Sequence, residues 1–308
     1  MKAFGLMFHH FHDETTHKKT EGSISKSQLK KILINFKRNI VTPEEFLNQI
    51  FQKKYKIKKR MVCLTFDDSI KSQIDVALEV LEDLKLKGFF FSNSFQYENK
   101  IGLLECCRYF RNNYFPNIEK FYELFLKNLK KNFSEKRINT FLKLNKKYFI
   151  KWKKISPFYS NKDLEFRLLR DFFLNKDQYN DQLIELFNLK GFNYKKKSEN
   201  LHFSKKDLAI LSYNGHEIGL HSHSHPIPIT DLPLKDLQDE YVKNYNILKK
   251  IIKKEILSMS HPNGYFNINC KIVLKNLGVK IGFANNEIGS KKKLNLFNIP
   301  RIDHTKLI

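Results

Sequence analysis

Two rhythms of apolar residues run along this chain. Short unbroken runs at Ala3–Phe8 (AFGLMF), Met61–Phe66 (MVCLTF) and residues 89–94 have the length and aromatic content of buried strands. Shorter runs follow at Glu217–Leu220, 256–259 and 279–284. Between them, apolar residues recur every three or four positions, the period of a helix with one buried face. Ile74, Ala77, Leu78, Leu81 and Leu84 form one such series, with Gly88 as its expected stop; 207–213, 234–250 and 272–277 form others, the last ending at Gly278. Residues 25–36 and 42–53 also read as helices. In the second, Thr42 is the N-cap, Pro43 the first helical residue and Glu45 the third, and the basic run 53–60 then forms a solvated connection. Strand, helix and strand in alternation predict a parallel α/β sheet.

Residues 100–200 break this alternation. They are rich in Phe, Tyr, Leu, Lys and Asn, with helical spacing at 121–129 and 164–174 and little strand-like alternation. The expected organisation is a first part of an α/β barrel over 1–99, a helical insertion over 100–200, and the rest of the barrel over 201–308. The aromatic residues of the insertion are expected to form its core rather than a binding platform.

Composition narrows the setting. With 308 residues, 41% hydrophobic and carrying 28 Phe and 13 Tyr, the chain can bury a sizeable core. Its formal charge of +24 would suit an anionic glycan, a membrane surface or nucleic acid, but the lysines are scattered and no specific nucleic-acid partner is expected. The four cysteines have no metal or disulfide spacing, and Cys63 lies inside an apolar strand. The apolar start, residues 1–8, is too short for a signal-peptide core, and no run approaches the ~20 residues of a membrane span. A cytoplasmic protein is expected, with at most peripheral membrane contact.

Two polar stretches carry the candidate chemistry. The run 61–66 stops at Asp67 and Asp68, and the carboxyl ends of parallel strands are where such sheets bind ligands. Adjacent carboxylates raise each other's pKa unless a cation attends them. An isolated Asp-Asp turn is ordinary surface chemistry. The second stretch, Gly215 to Pro226, holds His216, His221, His223 and His225. A spacing of four lets His221 and His225 reach one ion from the same side of a helical turn and, with one carboxylate, leave positions open for water and substrate.

Thr65-Phe66-Asp67-Asp68 followed later by His221-Ser222-His223-Ser224-His225 resembles the polysaccharide deacetylase family, also called the NodB homology or carbohydrate esterase family 4 group. The resemblance covers about 1–95 and 201–308 and implies a distorted (β/α) barrel. It makes Asp67 the general base and Asp68, His221 and His225 the ligands of a divalent metal, with zinc the first expectation. The loop Ser260 to Tyr265 stands where the family has Arg-x-Pro-Tyr; the Arg is missing, Tyr265 is expected to contact substrate, and a backbone N–H of the loop to serve the oxyanion. Ile302-Asp303-His304 faintly matches the family's Leu-x-His, making His304 the first candidate general acid, followed by His9 or His10. The implied activity is metal-dependent removal of an N-acetyl group from an amino sugar in a glycan or glycan precursor. The alternative is a catalytically impaired barrel that binds an anionic glycan or nucleic acid.

Overall fold

The computed structural model describes residues 3–51, 60–155, 159–285 and 294–308. The connection expected over 53–60 lies outside the described residues except for Arg60. Seven parallel strands form one sheet: β1 (Ala3–Phe8), β2 (Met61–Phe66), β3 (Phe89–Ser92), β4 (Glu217–Leu220), β5 (Ser258–Ser260), β6 (Ile281–Phe283) and β7 (Arg301–Asp303). Their order is β6-β5-β4-β3-β2-β1-β7. The two outer strands are joined by the segment leading into β7: the Ile299 N–H donates to the Gly282 carbonyl at 2.8 Å and the Ala284 N–H to the Ile299 carbonyl at 2.9 Å. The result is the expected nearly closed (β/α) barrel.

Alternation along the strands sorts the core into two layers. Met61 and Cys63 pack with Phe89, Phe91, Ile281 and Phe283 inside the barrel, and Phe46 and Leu47 of the helix Pro43–Phe51 join that cluster. Val62, Leu64, Phe66 and Phe90 face outward and pack against the surrounding helices. The interior is tight at Gly219, where an added Cβ would stand 2.4 Å from the Phe91 ring and 2.6 Å from Ser258 Oγ.

The helix signals hold with adjustments. Ser25 caps Lys26–Phe36 in a capping box with Gln28, and Thr42 with Glu45 does the same for Pro43–Phe51. The series beginning at Ile74 opens with a π-helical turn, Gln73–Ala77, and ends at Asp83. Its left-handed exit is Lys85 (φ 55°), not Gly88. Gly88 instead meets a crowded wall, where a Cβ would lie 3.0 Å from the Phe66 ring. Gly278, at φ 83°, does end Ile268–Asn276 as expected.

Residues 102–199 make a second compact unit, separate from the one formed by 1–101 and 200–308. Among its described residues the regular elements are all helices. Phe110, Phe121, Phe125, Phe166 and Phe187 are buried and in mutual ring contact, so the insertion's aromatics do form a core. Within it the buried Asp163 accepts from Tyr122 and from Arg167 at 2.6 Å. All four cysteines are buried and free.

Candidate active site

The two carboxylates leave β2 in different directions. Asp67 continues the inward series Met61, Cys63, Thr65, so its side chain enters the mouth of the barrel. Asp68 (φ 72°) and Ser69 (φ 53°) are both left-handed and turn the chain sharply away. Asp67 is almost fully buried and its two oxygens have different partners. Arg301 Nη1 donates to Oδ1 at 2.8 Å and Ser260 Oγ to Oδ2 at 3.0 Å, with His9 Nε2 3.9 Å from Oδ2. Burial alone would push this carboxyl up; the charges of Arg301 and His221 outweigh it and hold the group below its usual range.

Arg301, which no sequence motif marks, is the charged partner of Asp67. It rises inside the barrel from β7, beside Gly5 on β1, where a Cβ would stand 3.1 Å from its Cγ. Its guanidinium lies 3.4 Å from both the Ala284 carbonyl and Thr65 Oγ1. The basic partner absent from the loop after β5 is thus supplied by β7, which the closure of the barrel places next to β6 and two strands from β5.

Asp68, His221 and His225 converge. His221 Nε2 is 3.1 Å and His225 Nε2 3.6 Å from Asp68 Oδ1, and one atom from each of the three lies within 4.8 Å of the other two. The pair is not on a helical turn: 221–225 is a loop leaving β4, bent by left-handed Ser222 (φ 62°) and His225 (φ 55°). His221 Nδ1 lies 2.8 Å from the Ser260 carbonyl, which holds a proton there and turns Nε2 toward Asp68. A carboxylate and two imidazoles within this reach suit a divalent cation of the zinc class.

The electrostatics fit that donor set. Burial lifts the Asp68 carboxyl, but the hydrogen bond from His221 and the charges of His225 and His221 take it well below the usual range. Burial likewise depresses His221, yet Asp67 and Asp68 reverse this and raise it. For His225 burial prevails and the ring is lowered. Since a ligating imidazole must be neutral, cation affinity is expected to fall on acidification as His221 holds its proton.

The remaining histidines separate by role. His304 is buried with Nδ1 3.1 Å from the Met7 carbonyl and Nε2 2.8 Å from the Gly22 carbonyl, so neither nitrogen is turned to a substrate. His9 follows β1 and is the ring beside Asp67; its carbonyl and that of Asp67 accept from the same buried Gln73 amide, at 2.9 and 2.6 Å. His216 packs edge-on to Phe90 and accepts from the Gly88 N–H, and burial lowers it to about 4. His223 Nδ1 lies 2.9 Å from Ser94 Oγ. In the loop after β5, the Gly264 and Tyr265 N–H groups already donate to the His261 and Pro262 carbonyls, so neither is free for an oxyanion. The Tyr265 side chain is exposed on that loop, with 43% of the residue open to solvent.

A family model described as polysaccharide deacetylase matches residues 172–282. Among solved structures, a Streptococcus pyogenes deacetylase, PplD, in complex with acetate is 14% identical with a TM-score of 0.57, covering 98% of this chain and 92% of that one. A de-N-acetylase from Aggregatibacter actinomycetemcomitans is also 14% identical at 0.57, covering 98% and 95%. IcaB from Ammonifex degensii is 13% identical at 0.52, covering 92% and 83%. No curated protein matches the sequence. Among the described residues, no helix is long and apolar enough to cross a membrane.

Proposed function

We propose that this chain, similar to the polysaccharide deacetylases in fold and in the sequence of residues 172–282, hydrolyses the N-acetyl group of an amino sugar in a glycan or glycan precursor with the help of a divalent metal. The observation that carries the reading is the convergence of Asp68, His221 and His225 beside a separately held Asp67. Asp68, His221 and His225 would hold the cation, zinc by first expectation. When bound, it would supply Lewis acidity, polarising the acetamide carbonyl and acidifying an attacking water.

Asp67 accepts the water's proton. Its Oδ1 accepts from the charged Arg301 while Oδ2 accepts from the neutral Ser260 hydroxyl and stands on the side of His9, so Oδ2 is the more basic atom. A carboxyl held below its usual range is ionised at neutral pH and always ready to accept; the transfer is favourable only to the extent that the water is acidified. An amide nitrogen leaves as an amine and must receive a proton. His9, partly open to solvent and 3.9 Å from Asp67 Oδ2, is assigned that donation in place of His304. Tyr265 remains the proposed substrate contact on the rim.

The test is acetate release from N-acetylglucosamine oligomers by the metal-loaded protein and by the same protein after chelation. Release that disappears on chelation and returns with added metal supports the proposal; none under either condition overturns it and leaves the barrel a binding scaffold. In the same assay His9→Ala should lower turnover of the amide about 100-fold or more, while hydrolysis of an activated acetate ester, whose leaving group needs no proton, falls far less. His304→Gln should retain turnover if it folds. Equal losses on amide and ester in His9→Ala would remove His9 as the acid.

A further inference from the structure

The loop that presents His221 and His225 is clamped at His221, His223 and Ser224 from outside the ligand set. Helix Leu234–Ile252 turns Glu240 and Asn244, one turn apart, toward it. Asn244 is completely buried; its Oδ1 accepts from the His221 N–H at 3.0 Å and its Nδ2 donates to the Ser92 carbonyl at the end of β3, also at 3.0 Å. Glu240 accepts from the Ser224 N–H at 2.8 Å and the Ser224 hydroxyl at 2.6 Å, and its carbonyl accepts from the His223 N–H at 3.2 Å. On the opposite side, Asn93 Nδ2 donates to the His221 carbonyl at 2.7 Å, while the Ser94 and Phe95 N–H groups donate to the His223 carbonyl at 3.3 and 3.1 Å.

These contacts form a bracket with Asn244 at its centre. The amide ties the backbone of His221 to the strand beside it, and its two ends are complementary to an N–H and a carbonyl, so no apolar residue of similar size can replace it. Two nearby turns, at Ser222 and His225, are left-handed without glycine and need surrounding contacts to persist. We propose that Asn244, supported by Glu240, is the positioning residue of the metal centre, setting where His221 Nε2 stands relative to Asp68 although it touches neither the cation nor the substrate. This inference rests on the reading that Asp68, His221 and His225 hold a metal.

Cobalt(II) titration of the metal-stripped full chain, followed by its visible absorption, tests it. Asn244→Ala should weaken cobalt binding about 10- to 100-fold, the range typical of lost outer contacts to a ligand, with unchanged circular dichroism. Leu248→Ala, one turn further along the same face of the helix at a buried apolar position, should lower thermal stability and leave cobalt affinity within about 3-fold, since its side chain belongs to the apolar core. Asn244→Ala binding cobalt as tightly as wild type would overturn the inference. So would an equal loss of affinity in Leu248→Ala, because the effect would then be general destabilisation. Should Asn244→Ala fail to fold, Glu240→Ala decides: weaker cobalt binding supports the bracket, unchanged binding overturns it. Wild-type protein that binds no cobalt would instead overturn the metal reading itself, and this inference with it.

Discussion

Asp67→Asn is expected to cut acetate release by about 100- to 10,000-fold while leaving metal content unchanged. The carboxylate and the amide have nearly the same shape, and the introduced amide oxygen could still accept from Arg301 or Ser260. It cannot take a proton from water. Asp67 is also outside the trio that faces the proposed cation, so metal binding and catalysis should separate in this variant. An Asp67→Asn protein that keeps wild-type turnover would remove Asp67 as the base. One that loses its metal would show that the two adjacent carboxylates do not divide the work between them.

Arg301→Met is expected to be both less stable and slower. Arg301 and Asp67 are 1% and 3% exposed at their side chains, so removing the guanidinium leaves a buried carboxylate without its main compensation, at a cost of about 3–5 kcal/mol. A double variant, Arg301→Met with Asp67→Asn, should recover much of that stability, because no charge is then stranded. Chemical denaturation of the two single variants and the double variant measures the coupling; a double variant no more stable than Arg301→Met would contradict it.

The pH dependence of this pair has a definite sign. In the wild type the folded Asp67 carboxyl lies below its unfolded value of about 3.9, so the pair stabilises the fold above that pH and the contribution is lost as pH falls through the folded value. Without Arg301, burial has less to oppose it and the carboxyl rises. The acid limb of the pH–rate profile should therefore move to higher pH in Arg301→Met, a shift that simple loss of stability would not produce.

How far the sequence carried these conclusions differs between fold and site. β1 and β2 were readable residue by residue, because strands buried on both faces are continuous apolar runs bounded by polar turns, and the shorter β4 kept its expected bounds although it opens with Glu217. The Asp pair and the His pair were readable because polar groups ended such runs. Arg301 was not, because its role depends on β7 pairing with β1 from the far end of the chain, and no local pattern records a pairing so distant. Its one signal was a basic residue inside the apolar run Ile299-Pro300-Arg301-Ile302, where a charge that must be buried needs a buried partner. His304 misled for a related reason. A histidine after a final strand looks available until the Met7 and Gly22 carbonyls on both sides of its ring are seen. Spacing of four between His221 and His225 suggested a helical turn, whereas two left-handed residues in a loop achieve the same convergence.

The most direct measurement is the metal content of purified protein after exhaustive dialysis against buffer containing zinc and then against metal-free buffer. The wild type should retain one equivalent, and Asp68→Ala and His221→Ala should each retain far less while remaining folded. A wild type that emerges empty, or an Asp68→Ala protein that keeps its full equivalent, would contradict the claim that these side chains, brought from opposite halves of the polypeptide, grip a single ion.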